Sequence, residues 1–430
     1  MTLNFFRGHP TSSLLPNQSI HKAATKILLE PHEFDSLDPN NRHPLTYGSD
    51  EGAIWVREEV AKFSNKLYKP ESVTKAEHIN LTGGSSYGIL NAFLQTTLPH
   101  NGYTKRAFVI TPTYFLINRA LTDAGFNGKL TAIHEVGTNS IDLDHLQKEL
   151  EKYDTEEEAN TEIIKDPKYD KGHKKVYRFV MYCIPDFSNP GGITMDLPTR
   201  LRLLELARKH DMLILTDEVY DLLDYTQPLD QLPEPLIPKL VHLDRLTQTD
   251  PTSFGNTLNN STFSKTIAPG LRVGYQEAIN SNLAGQLSAG GANVSGGTPS
   301  QLNTNILGEL LKSGEFYQIL QVFRKTFAYR SQILQKIIKE HLPEGTKATG
   351  FEGGYFQWVT LPEGYDARLI IKECKAQDDV ILAGGDDFEV TGDEMGWGDS
   401  SFRLCLAFLE EHQLVEGIKK VGERIKVLYP

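Results

Sequence analysis

Cysteine is scarce in this chain. Among 430 residues only Cys183, Cys374 and Cys405 occur, far apart in sequence. They form no Cys-x-x-Cys pair and no disulfide framework, which fits a reducing compartment. A cytoplasmic location is expected, and no metal centre. Long apolar runs are missing too: no stretch reaches the ~18 residues that a membrane span needs. The first ten residues, MTLNFFRGHP, lack a basic region followed by an apolar run, so no secretory signal is expected. Positive charge is in deficit. The 44 Lys and Arg stand against 56 Asp and Glu, a net charge of −12, which argues against a nucleic-acid partner. No internal repeat is present.

What is there suits a globular α/β protein. Apolar residues make up 39% and aromatic residues 9% of the chain. The length predicts one large domain and a smaller one. Short apolar runs alternate with helical stretches. Candidate strands are Ala107–Thr111, Val176–Cys183 and Met212–Thr216. Candidate helices are Ile54–Lys66, Ser86–Thr97, Leu197–Lys209 and Phe316–Glu340. Thr194, Met195 and Asp196 offer capping residues to the third helix. The pattern at Phe316–Glu340 predicts one helix running between the two domains. Glu151–Lys175 is dense in charge and reads as a solvated insertion. Ala289–Pro299 is glycine-rich and reads as a loop.

Five segments carry candidate chemistry. In Thr262-Phe263-Ser264-Lys265, followed by Pro269-Gly270-Leu271-Arg272, one lysine sits between hydroxyl residues with an arginine seven positions on. Such a lysine can form a Schiff base with an aldehyde. The hydroxyls and the planar fork of Arg272 can take a phosphate. A surface turn with two ordinary cations is the other reading. Ile214–Tyr220 is a strand running into Asp217 and Tyr220. A strand-end carboxylate can pair with a protonated ring nitrogen, as a pyridoxal cofactor needs, or it can simply cap a turn. Asn189 lies in an Asn-Pro-Gly-Gly turn after Val180–Cys183, where open α/β sheets bind ligands, though this is also ordinary turn chemistry. Asn80–Gly88 holds a glycine turn opening a helix at Ser85 and Ser86. Helix N-termini bind phosphate, yet the segment matches neither the dinucleotide fingerprint nor the P-loop. Arg403 interrupts the apolar run Ser401–Phe408. Its partner is either a substrate carboxylate or an internal acid.

Together and in this order, these segments resemble the fold type I pyridoxal-phosphate aminotransferases of class I/II. The resemblance covers nearly the whole chain. It is nearest to the branch of 2-aminoadipate and aromatic aminotransferases and related fungal proteins. Phe5–Pro10 through Leu14-Leu15-Pro16 is similar to that branch's N-terminal segment, and Leu45–Gly48 with Glu51-Gly52 to the stretch after it.

The resemblance implies an α/β fold: a large domain with a mostly parallel sheet flanked by helices, plus a smaller α+β domain. Residues 1–40 would join the small domain, 41–300 would form the cofactor-binding domain, and 301–430 the interdomain helix and small domain. Pyridoxal 5'-phosphate is the implied cofactor. Lys265 would bind it covalently and then move the proton. Asp217 would face the pyridinium nitrogen, and Tyr220 and Asn189 the phenolic oxygen. Ser85, Ser86, Thr262, Ser264 and Arg272 would hold the phosphate, and Tyr114 would stack on the ring. Tyr47 would reach the phosphate of the other subunit, implying a homodimer. Arg403 would bind the substrate carboxylate, with Asn189 and the backbone of Gly8. Two departures stand out. Thr262 replaces the usual Ser three residues before the lysine, which keeps a hydroxyl. The phosphate turn reads Gly-Ser-Ser-Tyr rather than Gly-Ser-Gln.

The implied reaction is transfer of an amino group from an L-amino acid to a 2-oxo acid such as 2-oxoglutarate. A β-lyase on the same fold would use the same Lys265 and Asp217. A cofactor-binding transcription regulator would need a basic domain ahead of Phe5. An inactive homologue would be expected to lose Lys265. For the substrate, Arg7 either offers a cation to a distal carboxylate or is an ordinary solvated surface arginine, whereas Phe5, Phe6 and Tyr355 favour aromatic side chains.

Overall fold

The structure, a computed structural model, describes residues 2–29, 43–154, 174–234, 236–297 and 299–430. The first half of the chain runs β1 (Leu3–Asn4), α1 (Asn17–Leu29), α2 (Ile54–Tyr68), β2 (Ile79–Thr82), α3 (Ser85–Thr96), β3 (Arg106–Thr111), α4 (Leu116–Leu121), β4 (Leu130–Val136), β5 (Ser140–Ile141), α5 (Leu143–Tyr153), β6 (Phe179–Cys183), α6 (Leu197–Lys209) and β7 (Met212–Glu218). It continues α7 (Leu240–Thr247), β8 (Thr257–Thr262), β9 (Gly274–Ala278), α8 (Ser281–Ser288), α9 (Gln301–Ser313), α10 (Glu315–His341), β10 (Lys347–Thr349), β11 (Phe356–Thr360), α11 (Ala367–Asp378), β12 (Val380–Ile381), β13 (Ala383–Gly384), β14 (Ser401–Cys405) and α12 (Glu411–Leu428).

Among the described residues an eight-stranded sheet has the order β2-β9-β8-β7-β6-β3-β4-β5. Its centre, from β8 to β4, is parallel. The expected α/β class with a mostly parallel sheet is what the chain adopts. β9 runs against both β8 and β2. So β2 points the same way as β8, and the carboxyl ends of β2, β3, β6, β7 and β8 share one edge. A second, antiparallel sheet has the order β10-β11-β14-β13, and β1 pairs in parallel with β12. The chain's first strand is thus tied to its last quarter.

Local chemistry explains several boundaries. Asp196 accepts from the Thr199 amide and, with Pro198 beside it, starts α6. Such a cap contributes about 1 kcal/mol. The expected helices are all present, each within two residues of its predicted ends. The expected strand Val176–Cys183 begins only at Phe179, because the Tyr177 amide turns away to bond the Thr96 carbonyl. Met212–Thr216 continues through Asp217 and Glu218, which pair in register with Asn260 and Ser261. Charge did not end this strand, since β8 presents polar residues beside it. The charged segment Glu151–Lys175 begins as the last turn of α5. Its residues 155–173 lie outside the described residues. Ala289–Pro299 is irregular apart from a short turn at Val294–Gly296, and Thr298 is not among the described residues.

Helix α10 is 27 residues long, roughly 40 Å at the ordinary helical rise. Two of its buried arginines anchor it to distant parts of the chain. Arg324 donates from Nη2 and Nε to the one Asp224 carbonyl, at 2.7 and 3.1 Å, just beyond β7. Arg330 bonds Glu410 at 2.7 Å and Glu411 at 2.9 Å, at the start of α12. A buried guanidinium that loses its acceptors is left unsatisfied, so both arginines hold α10 between these two regions.

Candidate active site

The five strand ends converge on one cavity of about 360 Å³. β2 delivers Ser85 and Ser86 at the start of α3, β3 leads to Tyr114, and β6 to Asn189. β7 delivers Asp217 and Tyr220, and β8 leads to Thr262, Ser264 and Lys265. Arg272, Arg403, Arg7 and Gly8 complete its wall. These residues are as far apart in sequence as Arg7 and Arg403. The common strand direction brings their segments together at the sheet edge where open α/β folds bind ligands.

Lys265 opens onto the cavity. Its Nζ donates to the Gly8 carbonyl at 2.5 Å, and its own carbonyl accepts from the Tyr355 hydroxyl at 2.7 Å. Burial lowers its pKa to about 8; Arg403 and Arg272 push the same way, against Cys405 and Asp217. Deprotonation therefore comes within reach of neutral pH, as a nucleophilic amine requires.

Asp217 is 3% exposed. Burial raises its carboxyl pKa, opposed by three donors. Tyr182 donates to Oδ2 at 2.9 Å, and Asn260 to Oδ1 at 3.3 Å. The Ser85 hydroxyl also donates to Oδ1. The Ser85 side chain therefore serves Asp217, and what it leaves for an anion is its backbone amide in the first helical turn. Ser86 shares the cavity wall with Tyr114, whose phenol burial pushes up to about 12.

A cluster of donors surrounds Arg272. Its Nη1 donates to the Ser264 hydroxyl at 3.2 Å and its Nη2 to the Gly83 carbonyl at 3.1 Å. Thr262 Oγ1 donates to Ser264 Oγ at 2.9 Å. Gly84 has φ of 99°, and a Cβ there would stand 2.4 Å from Arg272 Nη2. Only glycine allows both the turn and the close approach of the guanidinium.

Arg403 is 2% exposed. Nη1 donates to Asn189 Oδ1 at 3.0 Å and Nη2 to the Phe6 carbonyl at 2.7 Å, while Nε makes no hydrogen bond. Its guanidinium lies 4.0 Å from the Phe356 ring centroid and 4.8 Å from that of Phe388. Both bonded acceptors are neutral. A buried guanidinium held only by neutral acceptors and rings is left ready for an incoming carboxylate, which forms the stronger, charge-assisted bond. Of the two partners the sequence left open, an internal acid is not bonded to it. The Gly8 carbonyl faces Lys265 rather than Arg403.

Tyr47 stands apart. It is 73% exposed and lines a different recess, with Gln301 and Gly296. Within one chain it does not join the cavity. Several contributors escaped the sequence reading as site residues. Tyr182 and Asn260 both bond Asp217, and Phe115 and Phe356 form apolar wall. Tyr182 lay inside a segment already singled out. Asn260 announced itself only as one of two adjacent asparagines in a buried strand.

A family model for aminotransferase class I and II matches residues 23–421. The chain belongs to this family. It is 54% identical over 429 residues to an uncharacterized protein of Saccharomyces cerevisiae, covering 98% of this chain and 96% of that one. It is 25% identical to the 2-aminoadipate transaminase of Thermus thermophilus, covering 99% of this chain and 90% of the relative. Among solved structures, an alpha-aminoadipate aminotransferase of Thermus thermophilus complexed with a phosphopyridoxyl amino acid has a TM-score of 0.75 at 24% identity, covering 99% of this chain and 92% of that one. That likeness confirms the fold.

The protein is therefore a pyridoxal-phosphate-dependent aminotransferase, and the transaminase names of its relatives favour transamination over β-elimination. The cavity fits the cofactor. A suppressed lysine amine suits its aldehyde, a buried carboxylate suits a protonated ring nitrogen, and hydroxyls beside a helix start and a guanidinium suit its phosphate. A pH dependence follows from Lys265. Below about 8 its amine is mostly protonated and cannot attack. Cofactor uptake by the cofactor-free protein is expected to rise about tenfold per pH unit up to that point and then level off. Stopped-flow absorbance measures it, and a rate flat from about pH 6 to 8 would contradict the suppressed amine.

Proposed function

We propose that this aminotransferase takes its amino group from an L-amino acid of the 2-aminoadipate or aromatic type and passes it to a 2-oxo acid such as 2-oxoglutarate. The observation that carries this reading is the composition of the cavity wall beside Arg403. Phe6, Phe115, Ile184 and Phe356 offer apolar surface, and Arg7 supplies a cation at the same wall, its guanidinium 5.2 Å from the Phe408 ring. Rings bury an aromatic side chain, and the guanidinium meets a distal carboxylate. The names of relatives point the same way: 2-aminoadipate transaminase in Thermus thermophilus and aromatic-amino-acid aminotransferase in Thermococcus litoralis.

When bound, the cofactor supplies the electron sink that makes the substrate Cα–H acidic. The rest is the work of the chain. Lys265 Nζ, an amine that burial leaves basic enough to hold a proton yet able to release it, would serve as the base for the substrate Cα proton. Asp217 Oδ1 and Oδ2, held by Ser85, Asn260 and Tyr182, keep a negative charge where the ring nitrogen must stay protonated. Tyr220 and Asn189 would hydrogen-bond the phenolic oxygen, and Tyr114 would pack on the ring. Thr262, Ser264, Arg272 and the amides of Ser85 and Ser86 would hold the phosphate. Arg403, with Asn189 beside it, binds the α-carboxylate and sets the substrate's orientation.

The proposal includes a homodimer in which Tyr47 of one protomer approaches the phosphate site of its partner. In support, Tyr47 and the neighbouring Leu45 are exposed large side chains on one loop. It includes a division near residues 40 and 300 into N-terminal segment, large domain and small domain, supported by the separate sheets on either side of α10. It also includes a cytoplasmic location, supported by three cysteines that are all free and buried. No helix among the described residues is long and apolar enough to cross a membrane.

The test is a visible spectrum of the purified protein with L-2-aminoadipate, L-phenylalanine or L-glutamate added in turn. The expected result is loss of the aldehyde-form band with 2-aminoadipate or phenylalanine, and glutamate formation when 2-oxoglutarate follows. A protein converted by none of them refutes the substrate reading. Arg7→Ala is expected to raise KM for dicarboxylic donors about tenfold, the weight of one partly exposed charge-assisted bond, and to leave KM for phenylalanine nearly unchanged. Steady-state kinetics with both donors decide it, and equal effects would remove Arg7 from the specificity site.

A further inference from the structure

The segment Asp217–Asp221 has two sides. Asp217, Val219 and Tyr220 line the cavity. Glu218 and Asp221 are absent from that wall; Asp221 pairs with Lys239, the residue just before α7, and Glu218 feels the same charge without a direct bond to it. The Lys239 side chain is 1% exposed, and its Nζ lies 3.4 Å from Asp221 Oδ2. The same ammonium sits 4.4 Å over the Tyr68 ring, and the Tyr68 hydroxyl donates to the same Asp221 carboxylate. Glu218 is 2% exposed, and neither of its carboxylate oxygens makes a hydrogen bond. Burial pushes its carboxyl up to about 7, and Lys239 is the foremost charge opposing that rise. Arg200 and Asp186 also face Glu218, but they are bonded to each other at 2.7 Å. Arg200 additionally donates to the Pro238 carbonyl at 3.1 Å, tethering the residue that precedes Lys239. Tyr275 and Glu277 are the remaining groups that support the Lys239 charge.

We propose that Lys239 is a positioning residue for transamination: its ammonium, packed on the Tyr68 ring, holds Asp221 behind the cavity and so fixes where the neighbouring Tyr220 and Asp217 stand in it. This rests on the roles proposed above for Asp217 and Tyr220. A buried carboxylate deprived of its cation either takes up a proton or draws in water, and the segment that carries it moves. A displacement of about 1 Å at groups that orient the reacting atoms costs about 10²-fold in rate. The carboxylate-binding end is carried by other elements, Arg403 on β14 and Asn189 after β6. The amino donor should therefore bind as before.

The test compares Lys239→Met and Lys239→Arg with the wild-type holoenzyme. It reads kcat, KM for the amino donor, and the pH midpoint of the bound cofactor's visible band. Lys239→Met is expected to lose roughly 10- to 100-fold in kcat per bound cofactor, with KM within about threefold. Its pH midpoint is expected to move, and Lys239→Arg to recover most of both. A Lys239→Met protein with wild-type kcat per bound cofactor and an unmoved midpoint overturns the proposal. So does a KM that rises as steeply as kcat falls. Should Lys239→Met not fold, Asp221→Asn loosens the same clamp and is held to the same criteria. A wild-type protein that binds pyridoxal phosphate without transaminating refutes the functional reading instead, and the midpoint shift still tests the clamp.

Discussion

Lys265→Ala is expected to end turnover. The substitution removes the covalent anchor for the cofactor and the base that moves the proton. Loss of a positioned acid–base group alone costs about 10²–10⁴-fold, and kcat should fall by at least ~10⁴-fold once the anchor is gone as well. A coupled glutamate assay measures this, with a limit set by the smallest rate above the buffer blank. The bound cofactor should also lose its lysine-linked visible band. Its affinity should fall less than its chemistry, because Arg272, Ser264 and Thr262 keep their contacts with one another. Folding should not suffer. Burial already disfavours the charged amine, and Tyr355 bonds the Lys265 backbone carbonyl, which alanine retains. A well-folded Lys265→Ala protein that turns over within tenfold of wild type would overturn the assignment of the base.

The parts of this site that the sequence revealed are those where polar chemistry sits at the end of an apolar run. Asn189 and Lys265 each follow a strand and Asp217 sits at the end of one, and a polar residue at such a place stands out against its neighbours. Arg403 stands out for the opposite reason, as one charge within an apolar stretch. Strand β8 was illegible. Its sequence, Thr-Leu-Asn-Asn-Ser-Thr, carries one strongly apolar residue, yet every position is buried. Its burial is supported by the pairing of Asn260 with Asp217 and the amide bonds to Ser85, which exist only after the sheet has formed. Lys239 was hidden in the same way. Beside Pro238 and Leu240 it looks like a surface lysine, and only the fold carries Glu218, Asp221 and Tyr68 to it. Periodicity reports which faces are apolar. It does not report which polar groups will find partners across the sheet.

The second large effect is expected at Asp217. Asp217→Asn keeps shape and removes charge, so it isolates the electrostatic part of the carboxylate's role. In the wild type three donors converge on the two oxygens, from Tyr182, Asn260 and Ser85. An asparagine can satisfy them only by turning its oxygen to some and its amide to the others. The Ser85 and Tyr182 hydroxyls can rotate to accept, whereas the Asn260 amide cannot become an acceptor without flipping. The side chain should thus stay buried and bonded, with little loss of folding stability. What disappears is the negative charge that keeps the ring nitrogen protonated, and removing one member of a buried charge pair costs about 3–5 kcal/mol. If most of that appears in the transition state, kcat falls by roughly 10²–10⁴-fold. KM for the amino donor should change little, because Arg403 and Asn189 are untouched. Tyr182→Phe is the control, since it removes one donor and leaves the charge. It should cost roughly 10- to 100-fold at most, the net weight of about 1.5–3 kcal/mol for a single hydrogen bond to a charged group. Steady-state kinetics on the two variants separate the possibilities. A Tyr182→Phe loss as large as that of Asp217→Asn would mean that placement of the carboxylate, not its charge, dominates. An Asp217→Asn enzyme with near wild-type kcat would show that the ring nitrogen takes its proton from elsewhere.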